Sequence, residues 1–186
     1  MLYTRKGDDG TTKTFGCNQR ISKSSTITEA LGSLDEINSY LGLCKIKAEE
    51  KKLTFPQIQN QTLWSIIHNI QKNLFIIQAE LAGSPMCISE EKVKELEMIT
   101  DSIEQELPLI KNFFISGGVE LATLFDIART ISRRAERRVV GVAEEKKISV
   151  NKFTMAYLNR LSSVLYAFTR LANYQSDKME ESPDYI

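Results

Sequence analysis

The sequence has few histidines and cysteines, and this shortage limits the chemistry that it can support. A single histidine, His68, offers little for a histidine-ligated metal centre or a serine-histidine-aspartate triad. The three cysteines, Cys17, Cys44 and Cys87, are odd in number and include no Cys-x-x-Cys pair, which argues against a disulfide framework or a thiolate zinc site. We therefore expect unpaired thiols in a reducing compartment, and no metal bound by the protein itself.

Long apolar runs and an excess of charge of either sign are also missing. No apolar run approaches the length of a membrane span, and the N-terminus lacks the basic-then-apolar layout of a signal peptide, so a cytoplasmic location is expected. The 24 basic residues balance 24 acidic ones, so no overall field would attract nucleic acid or an anionic membrane. Any anion-binding site must therefore be local.

Apolar residues recur at helical spacing in five segments, and no stretch alternates like a strand over a useful length. The predicted helices cover residues 26–47, 61–82, 89–107, the segment from Gly117-Gly118 to about 142, and 151–176. Ser25 or Thr26 can cap the first helix, and Thr26 and Glu29 have the spacing of a capping box. With mostly short connections, this pattern predicts an all-α, antiparallel five-helix bundle over residues 26–176. We take residues 1–186 as one domain and 177–186 as a mobile tail.

Two of these helices have apolar patterns that predict where they lie. The second is apolar over most of its circumference, so we expect it either centrally in the bundle or against another subunit. The third has only a narrow apolar stripe and is predicted to be an outer helix that Pro108 ends.

Residues 1–25 have no helical period and are rich in Gly, Thr, Asp and Lys. We predict a loop there, with a short hairpin around Asp9-Gly10. Glycine lets a backbone approach an anion closely, and convergent amides, hydroxyls and lysines suit a phosphate chain. The GxxxxGK[ST] pattern of a Walker loop is absent. Composition alone therefore leaves a phosphate-binding loop and a frayed N-terminal arm equally supported.

The fourth predicted helix carries five arginines between Arg129 and Arg138. Four charged residues share one face beside the apolar face: Arg129, Arg133, Glu136 and Arg137. Glu136 can pair with Arg133 at a spacing of three residues. A solvated face would ordinarily interleave lysine and glutamate, whereas the planar fork of arginine suits bidentate contact with carboxylate or phosphate. The pattern favours an anion site, with a solvated basic stripe as the alternative.

Two polar residues on other helices have more than one interpretation. Asp35, in the middle of the first helix, is either solvated surface or a buried carboxylate that needs a cation, which the arginines would supply. Asn159, on the last helix, either binds a ligand or is an exposed helical asparagine.

Three parts of the chain resemble one family. They are TRKGDDGTTKTFG near the N-terminus, EALGSLDEINSYLGL on the first helix, and FFISGG, ARTISRRAERRVV and YLNRLS toward the C-terminus. In this order they are similar to the ATP-dependent cob(I)alamin adenosyltransferases of the propanediol-utilisation type. The resemblance implies transfer of the 5′-deoxyadenosyl group of ATP, with Mg²⁺, to cob(I)alamin, giving adenosylcobalamin and triphosphate. It also implies a homotrimer with active sites between subunits, and a reductase and a cobalamin-dependent enzyme as further partners.

The same resemblance implies roles for individual residues. Residues 1–25 would form the ATP-binding loop through Thr4, Arg5, Lys6, Gly7, Asp8, Thr12 and Lys23. The neighbouring subunit would bind ATP through Arg133, Arg134, Glu136, Arg137 and Asn159. Asp35 and Arg129 match an intersubunit salt bridge of the family. Phe113 falls where the family places an aromatic against the lower face of the corrin, displacing the axial ligand to leave a four-coordinate cobalt that is easier to reduce.

Three positions depart from the family's pattern. Lys6 stands where threonine is common, Ser116 replaces a common proline, and Cys17 replaces a common glycine. Lys6 would add a phosphate contact, whereas Ser116 would loosen the turn that aims Phe113.

The residues are chemically compatible with this family. Because Co(I) is itself a strong nucleophile, the lack of a nucleophile-base pair is expected, and the protein's task would be positioning and electrostatics. One alternative is a nucleotide-responsive cobalamin carrier without turnover. Another, a helical nucleic-acid binder, is disfavoured by the zero net charge.

Overall fold

The computed structural model describes residues 3–15, 19–51, 61–146 and 148–184. Within these ranges the chain forms two short strands and five helices. They are β1 (Thr11–Thr12), β2 (Ile21–Ser22), α1 (Thr26–Lys51), α2 (Leu63–Leu81), α3 (Glu90–Glu104), α4 (Glu120–Glu144) and α5 (Lys152–Tyr174). The prediction of a five-helix, all-α bundle behind an N-terminal loop is confirmed. Cys17 lies outside the described residues.

The helices pack in an order that differs from their order in the chain. α1 packs against α2 and α4, and α5 packs against α4 and α3, so the order across the bundle is α2, α1, α4, α5, α3. The apolar faces meet in one continuous core, in which the rings of Phe125 and Phe168 lie 5.2 Å apart between their centroids. The helix that carries the arginines is therefore central, with its apolar face in the core and its five arginines outside the core.

The two edge helices test the predictions made from their apolar patterns. The prediction that α3 is an outer helix is confirmed, since its main neighbour is α5. A central place for α2 was wrong, because α2 packs mainly on α1 and leaves Phe75 62% and Trp64 37% exposed. Its wide apolar surface exceeds what the described residues cover. The alternative, a contact with another subunit, stays a prediction.

The predicted capping box at α1 was wrong. Thr26 is the first helical residue, and its hydroxyl donates to the Glu145 carboxylate at the end of α4 instead of accepting from an amide of its own helix. The start of α1 is instead tied to β2, because the Thr28 hydroxyl donates to the Ser22 carbonyl oxygen at 2.9 Å. The hydroxyls there join elements, which local spacing does not reveal.

The two strands form a small antiparallel ladder, with Thr11 opposite Ser22 and Thr12 opposite Ile21. Both strands follow Asp9-Gly10 in the sequence, so the predicted hairpin turn at that dipeptide was misplaced. That dipeptide forms a separate turn before the ladder, where Asp9 Oδ1 accepts from the Thr11 amide at 3.0 Å and the backbone of Gly10 has φ of 76°.

The cysteines that the structure describes are unpaired, as predicted. Cys44 is fully buried in the core, and burial raises the pKa of its thiol to about 12, so it stays neutral. Cys87 is exposed. Among the described helices, none combines the length and hydropathy needed to cross a membrane.

Candidate active site

A cleft of about 1100 Å³ opens beside the start of α4. The segment 110–118 forms one wall, α4 and α5 form the floor, and residues 178–183 close one side. Pro108 prevents α3 from continuing, and Gly117 and Gly118 turn the chain into α4 with φ of 137° and 114°, values that side-chain-bearing residues rarely adopt. The sequence thus fixes an irregular segment between two helices.

Phe113 stands at the edge of this cleft and is 81% exposed. Its neighbour Phe114 is only partly exposed and lies under the guanidinium of Arg170, at 5.5 Å from the ring centroid. One aromatic therefore anchors the segment while the other is left for a ligand. This geometry suits the role predicted for Phe113, which stays a prediction.

Arg129 lies in the floor of the cleft and is held from two sides. Its Nε donates to Oδ1 of the buried Asp126 at 2.7 Å, and its guanidinium lies 5.9 Å from the Tyr166 ring centroid. Burial raises the pKa of the Tyr166 hydroxyl, with Glu180 adding to the rise, so this phenol stays neutral. Sequence reasoning missed Asp126, although its spacing of three residues from Arg129 was a usable signal.

The arginines of α4 divide into two rows. Arg134 Nη2 pairs with Glu36 of α1, and Arg138 Nη2 lies 3.7 Å from Glu29 Oε2 of the same helix. Arg133, which lines the cleft, and Arg137 are exposed and have no ion pair within the described part of the chain. The second row is the one left available to an external anion.

The predicted pairing of Glu136 with Arg133 was wrong. Glu136 Oε1 accepts from Asn159 Nδ2 at 3.0 Å, and Asn159 Oδ1 accepts from Arg160 at 2.7 Å. Glu136 therefore bonds to Asn159 of α5 and not to Arg133 of its own helix, because α4 and α5 pack along their length. The structure thus brings together two predicted ATP ligands, Glu136 and Asn159, beside the free arginines.

The N-terminal loop is folded on itself by two basic side chains. Lys23 Nζ donates to the Gly7 carbonyl oxygen at 2.8 Å, and Arg20 donates to the Lys6 carbonyl oxygen and, at 2.9 Å, to that of Thr11. Arg20 was missed, because its partners are backbone atoms distant in sequence. These contacts leave the loop's outer surface free for a ligand.

Other predicted loop ligands take part in the same local structure. Thr4 Oγ1 accepts from the Lys6 amide at 3.4 Å, the Asp8 amide donates to the Arg5 carbonyl oxygen at 3.4 Å, and Thr12 lies in β1. Arg5 has φ of 60°. No loop residue from Tyr3 to Phe15 lines the cleft of about 1100 Å³, so the two predicted groups of ATP ligands do not share it in one chain.

Asp35 lies elsewhere. It is exposed on α1 and lines a separate cleft of about 690 Å³ with Phe15, Phe75 and Met86. Arg129 lines the other cleft, so the two are not paired within this chain. Their predicted pairing is between subunits and stays a prediction. Among the residues described, His, Cys, Asp and Glu nowhere form a group of three or more that would suit a metal ion.

Comparison with known proteins gives a consistent result. The profile of a family described as cobalamin adenosyltransferase matches residues 2–172. The corrinoid adenosyltransferase of Bacillus subtilis is 36% identical over 179 residues, which are 94% of this chain and 88% of that protein. The corrinoid adenosyltransferase PduO of Citrobacter freundii is 38% identical over 182 residues, 94% of this chain and 50% of that protein. The chain thus spans about half the length of the PduO relatives from Citrobacter freundii and Salmonella typhimurium.

Solved structures share the fold. A variant of the PduO-type ATP:corrinoid adenosyltransferase from Lactobacillus reuteri, complexed with cobalamin and ATP, superposes with a TM-score of 0.85 and 29% identity over 100% of this chain and 97% of that chain. Another variant of that protein, complexed with ATP, has a TM-score of 0.83 and 30% identity over 98% of this chain and 100% of that chain.

Proposed function

This chain belongs to the cobalamin adenosyltransferase family, and on that premise we propose that it is an ATP:cob(I)alamin adenosyltransferase. The cobalt electron pair of cob(I)alamin attacks C5′ of ATP, a cobalt-carbon bond forms, and the bond from C5′ to the triphosphate oxygen breaks. The products are adenosylcobalamin and triphosphate. The observation that carries this proposal is the row of exposed arginines, without an ion pair in the described part of the chain, beside a cleft edged by an exposed phenylalanine.

Arg133 and Arg137 are assigned to the triphosphate. Negative charge grows on the leaving triphosphate as the C5′–O bond breaks, and fixed guanidinium groups stabilise that charge more than the charge of bound ATP. ATP enters as its Mg²⁺ complex, so the metal comes with the substrate. The linked pair Glu136 and Asn159 borders the same face, and Arg134 lies next to it.

The remaining nucleotide contacts come from the N-terminal loop. Its seven predicted ligands are Thr4, Arg5, Lys6, Gly7, Asp8, Thr12 and Lys23. Arg20 and Lys23 bind the carbonyl oxygens of Lys6 and Gly7, so the contacts that fold the loop bring two cations to one turn, which supports binding of a phosphate chain. Lys23 holds the Gly7 carbonyl oxygen and brings a positive charge to that turn.

The corrinoid is assigned to the cleft behind Phe113. A volume of about 1100 Å³ suits a large macrocycle, and the apolar ring of Phe113 would exclude water from one face of the cobalt. Removing an axial oxygen or nitrogen ligand makes the cobalt easier to reduce to the nucleophilic Co(I) state. Phe113 thus acts by exclusion and not by proton transfer.

The active form is a homotrimer with each site between two subunits. Two features support this assembly: the loop and the arginine row do not share the cleft in one chain, and α2 leaves a large apolar surface exposed. Asp35 of one subunit would meet Arg129 of the next, whose terminal amino groups are not used by Asp126. A cytoplasmic enzyme of this kind would receive Co(I) from a reductase and supply a cobalamin-dependent enzyme.

The reaction is tested by mixing the protein with reduced cobalamin and Mg²⁺-ATP. We expect the absorption spectrum to change to that of adenosylcobalamin, with one triphosphate released for each product. Heat-denatured protein is the control. Binding of both ligands without any product would favour a cobalamin carrier over an adenosyltransferase. If neither ligand bound, both of these functions would be refuted.

A further inference from the structure

The Gly117-Gly118 turn is held by one side chain from the end of α5. Asn173 is 5% exposed, its Nδ2 donates to the Gly117 carbonyl oxygen at 3.0 Å, and its Oδ1 accepts from the Val119 amide at 3.0 Å. A β-carbon on Gly118 would overlap the Asn173 side chain. Both the shape and the hydrogen bonds of this turn therefore depend on α5.

A second side chain of α5 holds the other end of the same segment. Arg170 is 4% exposed, and its Nη2 donates to the Pro108 carbonyl oxygen at 3.0 Å, while its guanidinium lies 5.5 Å from the Phe114 ring centroid. Its Nε also pairs with Glu180 Oε2 at 3.0 Å. A buried guanidinium needs a carboxylate, so the tail is part of this contact.

The tail binds the segment a second time through its backbone. The Ile115 amide donates to the Glu181 carbonyl oxygen at 2.8 Å. The tail was expected to be mobile because it has no apolar face. The contacts of Glu180 and Glu181 are polar, so they do not need one. Of the two aromatic residues in the segment, Phe113 is the one that α5 and the tail leave exposed, whereas Phe114 lies beside Arg170.

We propose that Arg170 and Asn173 are positioning residues, and that Glu180 locks the tail against them so that Phe113 is presented to the corrinoid. This proposal rests on the proposed function. The two side chains are three residues apart on α5 and so lie on one face, from which they hold both ends of the segment from Pro108 to Val119. A loop fixed in its binding geometry loses less entropy when the ligand binds, which favours binding and alignment.

The contact between Glu180 and Arg170 is tested first without ligands. Glu180→Gln keeps the size of the side chain and removes its charge, and Glu181→Gln is the matched control, because that side chain makes no ion pair among the residues described. We expect Glu180→Gln to raise both tryptic cleavage after Lys178 and amide exchange of Ile115 by about tenfold, as for loss of a charge-assisted hydrogen bond. The control should match wild type.

The positioning role is tested with the loaded enzyme. For Glu180→Gln we expect the KM for cob(I)alamin to rise about tenfold, as for one lost charge-assisted contact, with the KM for ATP unchanged. The fraction of cob(II)alamin that is four-coordinate in the presence of ATP should fall, and Glu180→Asp should restore part of it. A structural role alone would lower the active fraction without separating the two KM values.

The two glycines give an independent test of Asn173. Both have positive φ, but a β-carbon has no atom within 4 Å at Gly117 and overlaps Asn173 at Gly118. Gly118→Ala should therefore lower the four-coordinate fraction more than Gly117→Ala. Equal effects would overturn the role of Asn173.

The outcomes separate the two proposals. A wild type that forms no adenosylcobalamin overturns the proposed function, whatever the exchange rates are. An active wild type whose cleavage, exchange and KM values are unchanged in Glu180→Gln overturns the role of Glu180 alone.

Discussion

Arg133 and Arg134 are neighbours on α4, as Asp35 and Glu36 are on α1, and in each case the two neighbours differ in their partners. Arg134 and Glu36 pair with each other inside the chain. Arg133 and Asp35 have no ion pair among the described residues and line two different clefts. Adjacent residues of the same charge thus point to different surroundings, because one residue along a helix turns a side chain by about 100°.

The comparison distinguishes charged residues that pair within the chain from charged residues that remain available to a ligand or to another subunit. An exposed pair such as Arg134 with Glu36 contributes about 0–1 kcal/mol to stability, so it does little more than align α4 with α1. An exposed arginine without a partner contributes nothing of this kind to the isolated chain. Its presence on a central helix is better explained by a ligand or by another subunit.

The largest expected effect is on the arginines without partners. Arg133→Ala or Arg137→Ala should lower kcat by a factor of about 10²–10³, as for loss of one group that stabilises developing charge. The melting temperature should stay close to that of wild type, because neither residue has an ionic partner among the described residues. The checks are an adenosylcobalamin assay and a thermal melt by circular dichroism. Arg138→Ala is the control from the paired row, and wild-type activity in both Arg133→Ala and Arg137→Ala would sink the assignment.

The next effect concerns the carboxylate without a partner. If Asp35 meets Arg129 of another subunit, Asp35→Lys places two cations together and should weaken the trimer by about tenfold or more in its dissociation constant. Sedimentation at falling protein concentration measures this, and activity should fall with the trimer. Glu36→Lys is the matched control, since its partner lies in the same chain. Equal assembly of Asp35→Lys and wild type would refute the pairing.

A smaller effect is expected at Arg134, and it sharpens the comparison within α4. Because Arg134 already binds Glu36, its replacement by alanine should lower activity by only about tenfold, mainly through weaker ATP binding. Glu36→Gln frees the guanidinium without removing it and should leave activity nearly unchanged. Titration of ATP against both variants measures the difference. A loss at Arg134 as large as that at Arg133 would mean that the ion pair opens when ATP binds.

The helices and much of the site could be predicted from the sequence because they rest on local patterns. Periodic apolar residues predicted the five helices, and the spacing of the arginines predicted that Arg129, Arg133 and Arg137 share one face of the fourth helix. The partners of those arginines could not be read, because spacing within α4 suggested Glu136 for Arg133, whereas packing against α5 gives Glu136 to Asn159. Pairing across helices depends on their order in the bundle, which periodicity does not encode.

The residues that sequence reasoning missed share this nonlocal character. Asn173 and Arg170 are polar residues within the apolar pattern of the last helix, and both are buried and hold a segment more than fifty residues away in sequence. A buried polar residue on a core face was the available signal, since such groups need partners. The wide apolar surface of α2 was predicted from the sequence, but the described part of this chain does not cover it fully.

The smallest expected effect lies within the paired row and tests how far ion pairs there stabilise the fold. Arg138 and Glu29 are about half exposed, as Arg134 and Glu36 are, but their closest atoms lie 3.7 Å apart, beyond ordinary hydrogen-bond distance. A double-mutant cycle with Arg138→Ala and Glu29→Ala should give a coupling below about 0.5 kcal/mol, against about 0.5–1 kcal/mol for Arg134 with Glu36. Both couplings should shrink with salt, because solvent screens exposed charges. Urea unfolding in low and high salt measures them, and a larger coupling for Arg138 with Glu29 would mean that distance does not rank these pairs.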